Sequence, residues 1–264
     1  MAGQGIPFIK ASACGNDFVL IDGMHAPAGI AEFSRRICDR HEGVGADGVE
    51  WLFPDSRTKA DVHARLFNAD GSEAEVSGNG TRSVAAYLSQ ERGLQKVVVR
   101  TGAGLKTCEL IERNDSRFIF DTDMGEPQLG EEFSIKLAFG EVRGRPVSMG
   151  NPHFVVFVND FGAGWQAEAA EIGRHHDFKY GINVELVKVE NKAKLDVRLF
   201  ERGVGETRSS GTGSCAAAVA AIAAGKCASP VEVETPGGIQ TVRWEGKVFL
   251  RGPAQLLCRG EFFG

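Results

Sequence analysis

Two glycine-rich turns contain the residue types in this sequence that are best suited to binding an anion. Ser77-Gly78-Asn79-Gly80 precedes a run of helix-forming residues, and Ser210-Gly211-Thr212-Gly213 precedes an alanine-rich run. A helix that begins at such a turn leaves its first backbone N–H groups without partners inside the helix and presents the positive end of its dipole. Carboxylates and phosphates bind at sites of this kind. The sequence therefore predicts two anion-binding helix starts.

The two turns belong to a longer internal repeat. Residues 65–85 recur without a gap as residues 198–218, and Gly15-Asn16 and Val49-Glu50 recur as Gly150-Asn151 and Val184-Glu185. A repeat of about half the chain indicates two related halves, each with one helix start. A single such turn is most simply a serine-capped helix with glycines for close packing. Its duplication beside polar residues favours a binding role.

The elements that would position these turns follow from hydrophobic patterning. We expect two strands around Cys14–Asp17, an amphipathic helix over 29–41, and a helix after Ser77, with a hairpin at Asn79-Gly80 as the alternative. Strands are expected at 97–101, 105–111 and 117–123. The second half repeats this order, with a helix over 165–175 and four β segments at 231–235, 239–244, 247–250 and 254–259.

These elements predict an α+β fold of two pseudo-symmetric domains, each a curved antiparallel sheet around a central helix. We place the first domain at 1–125, completed by a C-terminal strand near 253–264, and the second at 126–252. The polar stretch 125–133, which contains proline and glycine, is the predicted linker.

Composition excludes several classes of function. A net charge of -5 provides no electrostatic footprint for nucleic acid or an anionic membrane surface. We see no signal peptide and no apolar run of membrane-spanning length, which predicts a cytoplasmic protein. The six cysteines are far apart without a CxxC pair, so we expect thiols that are mostly buried rather than a metal site or disulfides. The P-loop and dinucleotide fingerprints are absent from both turns.

A second set of polar residues lies in turn-rich settings along the chain. Taken singly, each asparagine is an ordinary turn residue, the histidine a strand-end residue, and the Glu-Arg pair a solvated pair. Together they could recognise the amine and the second carboxylate of a zwitterionic substrate. The residues are Asn16, Asn68, Asn151, His153, Asn183, Glu201 and Arg202.

Five segments that contain these residues resemble the diaminopimelate epimerase family, which is related to proline racemase and the phenazine-biosynthesis isomerase. They occur in the family's order and spacing and cover nearly the whole chain. They are ACGNDFVLID (13–22), FNADGSEAEVSGNGTR (67–82), GNPHFVV (150–156), GINVELV (181–187) and ERGVGETRSSGTGSCAAA (201–218).

The resemblance implies a homodimer without metal or pyridoxal phosphate and with its active site between the two domains. It implies interconversion of LL- and meso-diaminopimelate by two-base proton transfer at the α carbon, a step in lysine and peptidoglycan precursor synthesis. It also implies roles for individual residues. Asn68, Asn151, Asn183 and Arg202 would hold the distal end of the substrate with Asn16 nearby; Gly78, Asn79, Gly211 and Thr212 would bind the carboxylate at the reacting carbon; Glu201 and His153 would assist there.

The sequence departs from the family at the two bases, because serines stand at positions 77 and 210 where the family has cysteines. A helix start can lower the pKa of a thiol until a thiolate forms near neutral pH, whereas a serine hydroxyl stays protonated. Cys215 lies too far into the second helix to replace these thiols. The family's usual glutamine is also replaced, by Gly48.

Three explanations of the serines stay open. The cysteines could have been exchanged deliberately to trap substrate. A natural branch could use another base, with Glu201, His153, Glu73 and Cys14 as candidates and another amino-acid-like compound as a possible substrate. The chain could also be an amino-acid-binding protein without catalytic activity.

Overall fold

The computed structural model describes residues 5–263, which form two compact units. The first unit comprises residues 5–122 and 252–263, and the second comprises residues 123–251. Each unit is α+β, with two helices packed against the strands of a curved sheet. None of the helices among the described residues is both long enough and apolar enough to cross a membrane.

The first unit places helix α2 at the centre of its strands. The helices are α1 (Ile30–Cys38) and α2 (Gly78–Arg92), with a single 3₁₀ turn at Gly23–His25. The strands are β1 (Ile6–Ala13), β2 (Asn16–Asp22), β3 (Gly48–Phe53), β4 (Val62–Asn68), β5 (Glu73–Ala74), β6 (Lys96–Thr101), β7 (Gly104–Asn114) and β8 (Arg117–Gly125), whose last residues fall in the second unit. Helix α2 contacts β1, β2, β4, β6 and β7.

The sheet of the first unit separates two apolar clusters. On one face Val84 and Leu88 of α2 pack with Leu66 of β4. On the other face Phe33 of α1 packs against Trp51 of β3 with ring centroids 5.7 Å apart. Burying each such large side chain contributes about 1.5–3 kcal/mol. Both helices are therefore fixed to the same strands from opposite sides.

The second unit repeats this arrangement around helix α4. Its helices are α3 (Trp165–Gly173) and α4 (Gly211–Ala223). Its strands are β9 (Gln128–Leu129), β10 (Phe133–Leu137), β11 (Gly140–Ser148), β12 (Pro152–Val158), β13 (Asn183–Asn191), β14 (Lys194–Glu201), β15 (Gly205–Thr207), β16 (Val231–Thr235), β17 (Gly238–Glu245) and β18 (Lys247–Phe262), which ends in the first unit. Helix α4 contacts β11, β12, β13, β14, β16 and β17 and is buried along most of its length. Strands this close on several sides favour small side chains, and most of the buried residues of α4 are alanine, glycine, serine or cysteine.

The sheets include two parallel pairs in each unit, although most of their strand pairs are antiparallel. The pairs β2–β3 and β4–β6 are parallel in the first unit, and β12–β13 and β14–β16 are parallel in the second. A helix between two neighbouring strands, such as α1 between β2 and β3, returns the chain to the end of the sheet from which it left. The helices that carry the candidate turns thus arise from crossover connections.

Most of the predicted elements are confirmed, and two details differ. The helix after Ser77 is present, which excludes the hairpin. Two of the four expected C-terminal segments are one continuous strand, β18. At Gly252 of this strand, the buried Arg82 side chain packs 3.2 Å from where a Cβ atom would lie. The Pro253 carbonyl accepts a hydrogen bond from Arg82 Nε. The predicted linker contains the short strand β9, which pairs with β11.

Candidate functional site

Ser77 is the N-cap of helix α2 and has extended backbone angles. Its Oγ accepts a hydrogen bond from the Gly80 N–H at 3.1 Å, and its carbonyl accepts one from the Thr81 N–H at 2.8 Å. Gly78 and Asn79 are the first helical residues, and the backbone N–H groups at these positions have no carbonyl acceptor within the helix. The predicted helix start with a serine cap is therefore present at Ser77.

A chain of side-chain hydrogen bonds fixes the orientation of the Asn79 amide. Asn79 Oδ1 accepts from Arg82, Asn79 Nδ2 donates to Asn16 Oδ1 at 3.4 Å, and Asn16 Nδ2 donates to Asp47 Oδ2 at 2.7 Å. Arg82 is fully buried, and none of the described carboxylates pairs with it. An arginine without a carboxylate partner adds positive potential at the helix start. The structure thus joins the predicted residues Asn16 and Asn79.

A cluster of charged side chains supports this chain of hydrogen-bonded amides at the Asp47 end. Arg40 bridges Asp47 at 2.7 Å and Asp17 at 2.9 Å, and Lys10 contacts Asp17 at 2.8 Å. Burial alone would raise the pKa of Asp17, but hydrogen bonds from Arg40 and Lys10 lower it to about 2. Asp17 is therefore ionised at neutral pH, and its ion pairs with Arg40 and Lys10 hold the segment that includes Asp47.

Asn68 lies at the end of β4, opposite Gly48 in the strand register. Its Nδ2 donates to Ser72 Oγ at 3.0 Å, and its backbone N–H donates to the Ser72 carbonyl, so it closes a turn. A Cβ atom at Gly48 would lie 2.8 Å from the Phe67 carbonyl oxygen, which is closer than van der Waals contact allows. The structure thus explains Gly48 by the close approach of β4.

A buried acid that sequence reasoning missed lies against the first helix start. Glu50 on β3 is 3% exposed, and a Cβ atom at Gly80 would lie 2.1 Å from its Oε1 and 3.3 Å from Ser77 Cβ. The carboxyl group therefore occupies the space that the missing side chain of Gly80 leaves open. Burial raises the pKa of Glu50 to about 8, so the acid is mostly neutral at pH 7.

Ser210 caps helix α4 in the same way as Ser77 caps α2. Its Oγ accepts from the Gly213 N–H at 3.2 Å and lies 3.5 Å from Thr212 Oγ1. Ser210 is 5% exposed and Thr212 is 6% exposed, so the second helix start is the more enclosed environment. Gly211 provides the first N–H of the helix.

His153 connects a second buried acid to this helix start. Its Nδ1 lies 2.7 Å from Glu185 Oε1, its Nε2 lies 2.9 Å from Asn151 Oδ1, and Asn151 Nδ2 donates to Thr212 Oγ1 at 3.3 Å. With Asn151 Nδ2 donating to Thr212, Asn151 Oδ1 is the amide atom that faces the His153 ring. The side chains from Glu185 to Thr212 thus form one hydrogen-bonded chain that ends beside Ser210.

The other predicted residues of the second unit lie on neighbouring strand ends. Asn183 is the register partner of His153; its Nδ2 donates to the Pro152 carbonyl, and its Oδ1 accepts from the Arg202 backbone N–H at 2.9 Å. The Arg202 side chain reaches the Tyr180 carbonyl at 3.3 Å. Glu201 is close enough for its charge to raise the pKa of Glu185, although burial of Glu185 is the larger cause.

The two buried acids occupy equivalent positions in the two units. A Cβ atom at Gly213 would lie 2.9 Å from Glu185 Oε1 and 3.2 Å from Ser210 Cβ, as at the first helix start. The units differ in one respect, since Glu185 contacts His153 whereas Glu50 has no hydrogen bond or ion pair among the described residues. An acidic residue in an apolar strand, repeated 135 residues apart, was the available sequence signal.

Glu73 and Cys14, two of the alternative bases considered from sequence, are not among the side chains that contact the helix starts in the hydrogen bonds described above. Glu73 forms two hydrogen bonds of 2.8 Å with Arg65, and the guanidinium group lowers the pKa of this carboxyl. Cys14 is buried and has a left-handed backbone conformation with φ 52°. Cys215 lies within α4, at its fifth position, and is fully buried. Cys258 is the exposed cysteine, and the other five are buried.

One group of side chains among residues 5–263 has the spacing of metal ligands. His175, His176 and Asp177 offer ligand atoms within 4.8 Å of one another, just after helix α3. The group is not connected to either helix start by the hydrogen bonds described above. Each unit thus has one candidate site, which is its helix start with the supporting amides and the buried acid.

Solved structures share the fold of the whole chain. A hydroxyproline epimerase from Agrobacterium vitis, with bound trans-4-hydroxy-L-proline, superimposes with a TM-score of 0.78 at 16% identity, covering 99% of this chain and 94% of that one. A phenazine biosynthesis protein of the PhzF family from Bacillus anthracis gives a TM-score of 0.75 at 16% identity, covering 98% and 99%. These similarities show a common fold.

Sequence relatives are much closer. The family model for diaminopimelate epimerase matches residues 8–130 and 146–257. Diaminopimelate epimerases from Pelotomaculum thermopropionicum and Microcystis aeruginosa are 40% and 37% identical, covering 97% of this chain and 98% and 99% of their own. One from Synechocystis is 35% identical, covering 98% of this chain and 99% of its own. The chain therefore belongs to the diaminopimelate epimerase family.

Proposed function

We propose that this protein is a cofactor-independent epimerase that interconverts LL- and meso-diaminopimelate by proton transfer at one α carbon. The observation that carries this proposal is the pair of equivalent serine-capped helix starts, each with a buried acid against it, in a chain of this family. Removal of an α proton leaves a carbanion whose charge spreads into the neighbouring carboxylate. Helix N–H groups stabilise that charge.

Substrate recognition would be divided between the two ends of the zwitterion. Gly78, Asn79, Gly211 and Thr212 would bind the carboxylate at the reacting carbon. Asn68, Asn151, Asn183 and Arg202 would bind the distal amino-acid end, with Asn16 orienting Asn79. The Arg202 guanidinium suits a carboxylate, and the amide oxygens suit an ammonium group.

Proton transfer would use the positions of Ser77 and Ser210, with His153 and Glu201 assisting. A serine hydroxyl is a far weaker base than a thiolate, so we expect slow turnover in this chain. The hydrogen-bonded chain from Glu185 through His153 and Asn151 would hold the Thr212 hydroxyl in place beside Ser210. We further propose a cytoplasmic homodimer that acts in lysine and peptidoglycan precursor synthesis.

A second function is favoured by the capping geometry itself. Both serine hydroxyls accept helix N–H groups, at 3.1 and 3.2 Å, as ordinary caps do. A protein that binds diaminopimelate without exchanging its α hydrogen would keep these contacts unchanged. An isomerase that acts on another amino-acid-like substrate would exchange the α hydrogen of that substrate with solvent, but not that of diaminopimelate.

Incubation with LL-diaminopimelate in deuterated water separates these functions. We expect slow deuterium uptake at the α carbon by the wild type, and uptake faster by at least about a hundredfold in the double variant Ser77→Cys with Ser210→Cys. Ser134→Cys, exposed on β10, is the matched control and should leave the rate unchanged. Binding without any exchange in wild type and double variant would establish the binding protein. If neither protein binds diaminopimelate, the substrate assignment is wrong.

A further inference from the structure

The carboxyl group of Glu50 is the one feature of the first helix start that the proposed reaction does not use. It is buried on β3 and fills the space beside Gly80, three residues after the Ser77 cap. Its equivalent, Glu185, is hydrogen-bonded to His153, whereas Glu50 has no such partner among the described residues. An unpaired buried carboxylate is costly, so the neutral acid is the favoured form.

The surroundings of Glu50 on its own face of the sheet are apolar. Its register partners are Leu20 on β2 and Leu66 on β4, which both belong to the cluster around α2. Asp22, at the exposed end of β2, lies on the same face two residues beyond Leu20. The side chains of a strand alternate between faces, so Asp17 and Arg65 point away from Glu50. Helix α1 packs on that opposite face as well.

The ionisable groups on the elements packed against β3 offer Glu50 no counter-ion. Arg82 is the buried charge on α2, and it contacts Asn79 and the Pro253 carbonyl instead. The ionisable groups of these elements are Asp17 and Asp22 on β2, His25 in the 3₁₀ turn, Glu32, Arg35, Arg36 and Cys38 on α1, His63 and Arg65 on β4, and Arg82, Tyr87, Glu91 and Arg92 on α2. None of them forms a hydrogen bond or an ion pair with Glu50.

We propose that Glu50 is a positioning residue of the first helix start, whose neutral form leaves that helix start able to bind the substrate carboxylate and whose ionisation weakens the binding. This inference rests on the proposed function. A negative charge beside Gly80 would repel a carboxylate at the N–H groups of Gly78 and Asn79 through an apolar medium that screens poorly. By linkage, carboxylate binding then promotes protonation of Glu50.

Calorimetric titration with meso-diaminopimelate at pH 6.5 and pH 9.5 tests this. We expect the Kd of the wild type to rise about tenfold more between these pH values than that of Glu50→Gln, because ionisation of Glu50 adds repulsion that glutamine cannot. Titration of the substrate's own amines affects both proteins equally. Glu109→Gln removes an exposed acid of the same unit, ion-paired with Lys96, and should behave as wild type.

A proton-uptake measurement and a second neutral variant extend the test. Titrations of the wild type near pH 8 in buffers of different ionisation enthalpy should show proton uptake on binding, which Glu50→Gln abolishes. Glu50→Leu, a second neutral variant, should match Glu50→Gln. Equal pH dependence in wild type and both variants would overturn the role of Glu50 alone. Absence of binding at pH 6.5 in all of these proteins would overturn the proposed function and this inference with it.

Discussion

Replacing Glu50 by glutamine should change how the stability of the protein depends on pH. The folded protein holds this buried acid with a pKa of about 8, against 4.5 for an ordinary glutamic acid. Between these pH values the unfolded chain is ionised at Glu50 while the folded chain is protonated, so folding takes up a proton. The stabilising contribution of Glu50 is therefore fully present below about pH 4.5 and is lost as the pH rises to 8.

The size of the effect follows from the pKa difference. Each unit corresponds to about 1.36 kcal/mol, so the unfolding free energy of wild type relative to Glu50→Gln should fall by roughly 4 kcal/mol at most between pH 5 and pH 8. Glutamine fills nearly the same volume and carries no charge. The variant should therefore be clearly more stable than wild type at pH 8, with little further change in the difference above that value.

Urea unfolding of both proteins at pH 5, 6, 7 and 8 measures this difference directly. Glu109→Gln is the matched control, because Glu109 is exposed and paired with Lys96 at 2.9 Å, and its difference from wild type should be nearly independent of pH. A difference between Glu50→Gln and wild type that also stays constant over this range would refute the reasoning. It would mean that Glu50 is ionised in the folded protein.

Three further changes test the second unit and Gly48 by urea unfolding. Ser210→Ala removes the acceptor for the Gly213 N–H and should cost about 1 kcal/mol, whereas Ser210→Asp should retain most of the stability; equal losses would contradict the capping role. His153→Leu leaves Glu185 buried without its partner and should cost roughly 3–5 kcal/mol, which adding Glu185→Leu should largely recover; no recovery would argue against a buried pair. Gly48→Gln should destabilise by at least about 1 kcal/mol without tightening diaminopimelate binding in calorimetry, and tighter binding would disprove the steric explanation.

Local chemistry made the helix starts predictable from sequence. A serine followed by glycines and then by helix-forming residues contains the cap, its hydrogen-bond acceptor and the beginning of the helix within four positions. Ser77 and Ser210 are accordingly the N-caps of α2 and α4. The same holds for the turn at Gly15, where a positive φ separates β1 from β2.

Strand continuity was less predictable because it depends on distant partners. Gly252-Pro253 interrupts an apolar pattern and reads as a break between two strands, yet β18 continues through it. The first part of β18 pairs with β17, the strand just before it in the chain, and its last part pairs with β1, the first strand of the chain. The parallel pairs likewise depend on which strands become neighbours, which hydrophobic alternation does not encode.

The role of the buried acids depended on a contact across the sheet. Sequence alone shows Glu50 and Glu185 at repeated positions in apolar strands, but an acid in a strand is ordinarily one that faces solvent. What makes these two unusual is that each lies against the glycine at the third position of a helix. That contact joins residues 30 and 28 positions apart in the chain and requires the folded core.

The most direct test of the central claim is a crystal structure of the protein with meso-diaminopimelate bound. The account predicts that one substrate carboxylate lies within about 3 Å of backbone N–H groups at both helix starts, those of Gly78 or Asn79 and of Gly211 or Thr212. It also predicts that the distal end contacts Arg202. A ligand whose carboxylates contact neither helix start would contradict the account.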